Sequence, residues 1–275
     1  MLPPLNAVER HFRGRHVLVT GGSEGIGFAI ARRLVMHGAE VTLVARSRDK
    51  LERAKATLLA EVPGARVHWI DVDVSDAAAV RERFPSSLAA PLDILINNAG
   101  ISRPGYFWDI PEADFQRILD VNFAGVVNLT RVLLPMLEQT RGHIVNVGSV
   151  SSVVGSLAHS AYCGSKFALY GFSEVLRAEL RSRGVKVTIV LPPETETKMI
   201  EEEKPFLPHA AAVLQETSGR LTPDEVARAA LKGIARGDFE IVPGFMARAT
   251  VVVNRLAPWF VRAYSDWVVA RAERG

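Results

Sequence analysis

Apolar positions along this chain alternate between short continuous runs and stripes at helical spacing. Residues 16–20 form an apolar run, a glycine-rich turn follows, and Ile26, Ala29, Ile30 and Leu34 then recur with helical period up to Gly38. The succession returns with a strand over 40–45, a helix over 49–59, a strand over 67–72, a helix from about Asp76 and a strand over 93–97. It continues with a long helix over 114–138, a strand over 142–148, a helix over 162–183 and a buried strand over 185–191. Six strands alternating with helices predict an α/β fold: one doubly wound parallel sheet with helices on both faces. The regularity lapses over 192–220, a stretch rich in Pro, Glu and Thr that predicts a mobile flap. Residues 1–244 therefore read as one domain, and 245–275 as a helical extension of it with no core of its own.

In that extension Val251, Val252, Leu256, Trp259, Phe260 and Trp267 are interleaved with Arg248, Arg255 and Arg262, which recur every seven residues. On a continuous helix those arginines share nearly one face, and Pro258 predicts a break or kink. Two readings stand: an amphipathic helix lying in a membrane interface, or a helix packed on the core or on a second copy of the chain. The charges exclude a spanning segment here, and no stretch reaches the ~20 apolar residues one requires.

A length of 275 residues, 48% hydrophobic and 23% charged, suits one well-buried soluble domain. The net charge of +3 comes without a compact Lys/Arg block in the first 240 residues, which argues against a nucleic-acid partner and leaves small anionic ligands open. Cys163 is the only cysteine, so an intrachain disulfide and a cysteine-based zinc site are excluded and a reducing cytoplasm is expected. The first 15 residues hold no apolar run of signal-peptide length.

Three groups of residues carry chemistry. The turn Thr20-Gly21-Gly22-Ser23-Glu24-Gly25-Ile26-Gly27 stands between a strand and a helix, where glycines bring backbone amides close to a pyrophosphate. At the end of the second strand, where a carboxylate would accept the ribose hydroxyl of NAD, the chain carries Ala45, Arg46 and Ser47. A guanidinium there suits the 2′-phosphate of NADP(H), although Glu24 in the turn opposes it. Tyr162 and Lys166 are spaced i, i+4 and project from one helix face. An ammonium beside a phenol lowers its pKa and makes it a usable acid–base group for a carbonyl oxygen. Ser149 ends the preceding strand and can hydrogen-bond that oxygen, while Asn122 is a costly choice in a helix interior without a polar task. His159 reads as a solvated loop residue, and Cys163 as a small helix residue.

Together with Asn97-Asn98-Ala99-Gly100, these residues resemble the short-chain dehydrogenase/reductase family over about residues 15–200. The resemblance implies a Rossmann fold and a catalytic tetrad of Asn122, Ser149, Tyr162 and Lys166. It also implies Asp73 and Val74 at the adenine, Asn98, Ala99 and Gly100 behind the ribose and nicotinamide, Lys166 on the nicotinamide ribose, and a water held by Asn122 that links Lys166 to solvent. Within the family, Leu191-Pro192-Pro193-Glu194-Thr195-Glu196-Thr197 is similar to the Pro-Pro-Asp-Thr-Asp-Thr segment of 3-ketodihydrosphingosine reductases, with Glu replacing Asp at 194 and 196. Pro193 removes a backbone donor near the nicotinamide, which Thr195 and Thr197 are placed to replace. The resemblance implies NADPH-dependent reduction of a long-chain keto lipid in the cytoplasm or on the cytoplasmic face of a membrane. A reductase of a 3-ketoacyl or steroid ketone and a non-catalytic NADP sensor are the alternatives.

Overall fold

The computed structural model describes residues 6–84, 91–216, 219–272 and 274. Residues 1–5, 217–218, 273 and 275, which the sequence reading assigns to the N-terminal segment, the flap and the extension, lie outside the described residues.

Seven parallel strands form the central sheet: β1 (His16–Thr20), β2 (Glu40–Ala45), β3 (Val67–Asp71), β4 (Ile94–Asn97), β5 (His143–Val147), β6 (Lys186–Val190) and a short edge strand at Glu240–Ile241, in the order β3-β2-β1-β4-β5-β6-edge. Successive side chains of a strand point to opposite faces, and the inner strands are apolar on both. Val17, Val19, Ile94, Ile96 and Val145 join the core on one face. Their neighbours Leu18, Leu95 and Ile144 join the core on the other. The first core is closed by Leu34 of α2 (Gly25–Met36) and Leu58 of α3 (Arg48–Glu61). The second is closed by Val80 of α4 (Ala77–Arg83), Leu129 and Leu133 of the long helix described next, and Leu176 of the helix Ser160–Leu180.

The stripe predicted over 114–138 is one continuous helix with a change of pitch inside it: α5 (Glu112–Leu119), a π-helical turn (Asp120–Ala124) and α6 (Gly125–Thr140). By length and a mean hydropathy of 1.3 over its most apolar stretch, this helix could cross a membrane, which corrects the expectation that no such stretch exists. Packing of Leu129, Leu133 and Leu137 in the sheet core accounts for that hydropathy. Helix α7 (Ser160–Leu180) follows β5 and carries the Tyr/Lys pair.

Two further expectations are corrected. The sheet has a seventh strand, the edge pair Glu240–Ile241, too short to show any alternation in sequence. The segment 192–216 is regular, with β7 (Glu194–Thr195), α8 (Lys198–Glu203), a single 3₁₀ turn at Lys204–Phe206, and α9 (His209–Glu216). Strand β7 pairs in parallel with β8 (Arg220–Leu221), which leads into α10 (Pro223–Arg236) and then to the edge strand, β9. Thr222 caps α10 reciprocally with Glu225, and Asp224 holds Arg33 of α2 at 2.5 Å.

The extension comprises α11 (Phe245–Leu256) and α12 (Pro258–Ala272), separated at Ala257–Pro258 as the proline predicts. Ala247 and Val251 bury against Ile189, Leu191 and Val242, so α11 is attached to the β6 edge of the sheet. Two of the three arginines expected on one face are tied to the sheet edge while staying exposed, and Arg262 is exposed as well. Arg248 donates to the Val242 carbonyl at 2.8 Å, and Arg255 pairs with Glu240.

Two glycines separate packing from propensity. A Cβ at Gly125 would stand 2.7 Å from Cγ2 of Val74, whereas one at Gly171 in α7 meets open space. Gly125→Ala is expected to lose about 1–3 kcal/mol in urea unfolding through overpacking, and Gly171→Ala to gain about 0.5–1 kcal/mol from helix propensity.

Candidate active site

Strand β1 lies between β2 and β4, so the chain winds outward in two directions from the middle of the sheet. At such a switch point the loops leaving adjacent strands diverge and open a crevice at the carboxyl ends. A cleft of about 880 Å³ lies there, walled by the β1 turn, the ends of β2 and β4, α7 and the α8 segment.

The β1 turn is held from behind. Thr20 Oγ1 accepts from the backbone N–H groups of both Asn98 and Ala99 at 2.9 Å, while Asn98 Nδ2 donates to the Thr20 carbonyl at 2.9 Å. Gly27 lies against this junction; a Cβ there would come within 2.3 Å of the Gly21 carbonyl and 2.4 Å of Asn98 Nδ2. Gly22 is likewise packed, against Leu43 and the Val19 carbonyl, so neither glycine faces the cleft. Gly21, Ser23, Gly25 and Ile26 do face it. Gly25 turns the chain into α2 with φ +59°, a conformation that favours glycine. Glu24 at the helix cap makes no side-chain capping bond, so the first amides of α2 keep their donors for an anion. This uncapped terminus facing the cleft fits a pyrophosphate.

At the end of β2, Arg46 is exposed, lines the cleft and has no ion-pair partner among the described residues. Ser47 also lines the cleft and caps α3, accepting from the Lys50 amide at 3.4 Å. Lys50 in turn reaches Glu24 at 2.9 Å, so the carboxylate that would oppose a phosphate near Arg46 is neutralised within the protein. After β3, Asp73 and Val74 line the next part of the wall. Burial alone would raise the Asp73 carboxyl, but hydrogen bonds from Ser75 and Arg117 outweigh it and hold the pKa below the usual range. Asn98, Ala99 and Gly100 continue the wall toward α7.

Asn122 is fully buried inside the π-helical turn. Its Oδ1 accepts from the Ile101 amide at 2.8 Å, and its Nδ2 donates to the Ile101 carbonyl at 2.9 Å and to Ser165 Oγ at 3.0 Å. The side chain therefore clamps the strand that leaves β4 to the helix that carries Tyr162. Lys166 is buried one helical turn beyond Tyr162, donates to the Val147 carbonyl at 2.9 Å, and has its Nζ 5.6 Å from the Tyr162 ring centre. Ser149 caps the short turn after β5, its hydroxyl accepting from the Ser151 amide at 3.1 Å, and it also hydrogen-bonds the Tyr162 phenol.

The titration order differs from the sequence expectation. Burial raises the Tyr162 pKa above that of a free phenol, and the hydrogen bond with Ser149 works against the rise without reversing it. Burial acts on the Lys166 ammonium as well and brings its pKa down to about 8. Tyr162 is thus held as a proton donor at neutral pH.

Thr197 lines the cleft against Gly25, but two other residues expected there from that segment do not reach it. Thr195 is buried with its hydroxyl donating to the Pro193 carbonyl at 2.9 Å, and buried Pro192 accepts from the Val150 amide at 2.9 Å. His159 is corrected as well. It is buried at the start of α7, with Nδ1 against the Leu157 carbonyl at 2.8 Å, its ring edge-on to Tyr162, and Nε2 3.9 Å from Glu203. Burial depresses its pKa, but the Glu203 carboxylate and the Leu157 carbonyl outweigh that and raise it overall. Sequence reasoning gave no role to Thr20, Ser165, Arg117 and Glu203; Thr20 stands inside the glycine motif and Ser165 between Tyr162 and Lys166, whereas nothing in its surroundings singles out Arg117.

The match to the short chain dehydrogenase family spans residues 15–207, and the chain belongs to that family. It is an oxidoreductase of the kind that binds a nicotinamide cofactor. A 3-dehydrosphinganine reductase from Danio rerio is 38% identical over 233 residues, covering 82% of this chain and 70% of the relative. A short chain dehydrogenase/reductase from Burkholderia phymatum in complex with NAD superposes with a TM-score of 0.80 at 26% identity, covering 91% of this chain and 96% of that one. One from Sphingobium yanoikuyae in complex with NADPH gives 0.75 at 29% identity, covering 90% and 95%.

The Lys166 pKa sets a stability signature. The folded chain releases this proton near pH 8, while the unfolded chain keeps it to about 10.4. The unfolded state therefore binds more protons between those values, and stability rises with pH across that window. Above about pH 10 the raised Tyr162 pKa reverses the trend, because the unfolded chain then loses its phenolic proton first. Chemical denaturation between pH 7.5 and 10 is expected to show a gain on the order of 2–3 kcal/mol that Lys166→Met abolishes.

Proposed function

We propose that this chain reduces 3-ketodihydrosphingosine to dihydrosphingosine with NADPH, using Tyr162 as the proton donor. The observation that carries this reading is a protonated Tyr162, beside Ser149 and Lys166, in the same cleft as Arg46, which has no ion-pair partner among the described residues. Similarity to the Danio rerio 3-dehydrosphinganine reductase over 82% of the chain supports the choice of ketone.

The first amides of α2 would hold the cofactor pyrophosphate, and Arg46 with Ser47 its 2′-phosphate. Lys166 would hold the nicotinamide ribose, and the wall at Asn98, Ala99 and Gly100 would back the ring. When bound, the reduced nicotinamide supplies the hydride for the ketone carbon. Negative charge then develops on the ketone oxygen, and Tyr162 meets it with the phenolic proton while Ser149 orients it. Lys166 lies close enough to stabilise the phenolate left behind, a charge that exists only after transfer. Asn122 keeps α7 in position through Ser165 and Ile101, and a water beside it would return a proton through Lys166.

A lipid ketone has to be drawn from a membrane, and the extension supports contact with one. Phe245, Leu256, Trp259, Phe260 and Trp267 are all more than half exposed on α11 and α12, and α12 lies against α9 of the segment that walls the cleft. Amphipathic surfaces with exposed Trp and Phe settle at the headgroup boundary. Flotation with liposomes is expected to carry the wild-type chain, and Trp259→Ser/Phe260→Ser to remain in solution; equal flotation of both would rule out this contact.

With 3-ketodihydrosphingosine, consumption of NADPH is expected from the wild-type chain, and Tyr162→Phe to lower kcat roughly 10²–10⁴-fold. Arg46→Ala is expected to raise the KM for NADPH about 10–100-fold while leaving that for NADH nearly unchanged. Turnover of other long-chain ketones but none of this one would reject the assignment.

A further inference from the structure

Ala158, the residue before the N-cap of α7, has φ +61°, a left-handed conformation that costs a non-glycine residue free energy and persists where its surroundings over-determine it. The Ala158 carbonyl accepts from the Gly105 amide at 2.8 Å, and the His159 amide donates to the Ser156 carbonyl at 3.2 Å. The His159 imidazole is thereby buried, and its ring meets the Tyr162 ring edge-on with 6.3 Å between centres. Both of its nitrogens face acceptors: Nδ1 is 2.8 Å from the Leu157 carbonyl, and Nε2 is 3.9 Å from the buried Glu203 carboxylate. A neutral imidazole has a single N–H to give, so this arrangement suits the imidazolium.

A helix N-terminus is an unfavourable place for a cation. Burial also works against the charge, but the Glu203 carboxylate and the Leu157 carbonyl outweigh it and hold the His159 pKa above the ordinary value. Glu194, the other carboxylate acting on His159, is paired with Arg220 at 2.6 Å. Glu203 acts on Tyr162 as well. Burial is the main cause of the raised phenol pKa, and Glu203 is the one carboxylate among the described residues that adds to it. Its charge opposes the phenolate that Tyr162 becomes on giving up its proton, and an imidazolium beside both groups offsets that charge.

We propose that His159 is a positioning residue that acts through Tyr162: its imidazolium offsets the Glu203 carboxylate, so that the phenolate left by proton transfer forms without facing an uncompensated negative charge. This rests on the proposed function only in taking Tyr162 as the proton donor, and it holds for any ketone whose oxygen receives that proton. The imidazolium is present below the His159 pKa and is lost as pH rises through it, so the offset fails on the alkaline side.

The test is kcat at neutral pH with NADPH and 3-ketodihydrosphingosine for the full chain, as wild type, His159→Gln, Glu203→Gln and the double variant. His159→Gln is expected to lower kcat about tenfold, the equivalent of one pKa unit on the phenol, with little change in the KM for NADPH. Removing the carboxylate as well is expected to restore at least about threefold of that loss. A pair that only latches α8 to α7 gains nothing from the second substitution, so a double variant no faster than His159→Gln overturns the proposal. Where a variant fails to fold, the wild type decides through nuclear magnetic resonance: the imidazole in Overhauser contact with the Tyr162 ring is expected to titrate above the ordinary histidine value, and titration below it overturns the proposal. If the wild type reduces a different ketone, the proposed function falls and the same four-way comparison on that ketone decides this inference; if it reduces none, both fall.

Discussion

The hydroxyl of Thr20 accepts from two consecutive amides, those of Asn98 and Ala99, and so ties the ends of β1 and β4 together. These strands are neighbours in the sheet although 73 residues separate the end of one from the start of the next, and the chain departs from them in opposite directions. Everything the site requires follows from that junction. The β1 turn must leave it tightly enough to aim the first amides of α2 into the crevice, and the β4 loop must leave it toward Asn122. Asn122 then carries the constraint to α7 through Ser165. One hydroxyl, one amide and one further hydroxyl thus link the cofactor end of the cleft to the proton-donating end, by groups that are buried or nearly so.

Burial also decides the electrostatics. A phenol and an ammonium one helical turn apart on a solvated surface would each be close to its ordinary pKa. Packed into the wall, the phenol keeps its proton and the ammonium gives it up more readily. Both shifts favour neutral groups, which is the state an apolar ketone can approach without displacing tightly held water. Glu203 is an exception, a buried carboxylate whose charge is met by His159, the imidazole whose pKa it raises.

Much of this was readable in the sequence because it is local. Residues on one strand or one helix reveal themselves by periodicity, so β1 to β6, the glycine turn and the Tyr162–Lys166 pair were legible. The remainder depends on contacts between distant segments. The β9 edge pair is too short for alternation and is defined by its partner β6. His159 looks like a loop residue until Glu203, 44 residues further on, closes over it. Of the three consecutive carboxylates Glu201, Glu202 and Glu203, the third is buried while the first two are exposed, a difference that residue type cannot reveal. Thr195 and Thr197 would share one face of an extended segment, but β7 ends at Thr195 and Thr197 is the N-cap of α8, and only Thr197 lines the cleft.

The π-helical turn at Asp120–Ala124 inserts one residue into the ladder that joins α5 to α6. An extra residue advances a helix by about 100°, so the two halves of this rod are out of phase by that angle. The apolar stripe of α6 matches the sheet, while that of α5 is set for α7. Neither half can be aligned with the other by assuming a single helical repeat, and a lineage that lost one residue here would present the wrong side of α5 to the proton-donating helix. The irregular turn therefore acts as a fixed gear offset between the structural and reactive halves of the molecule.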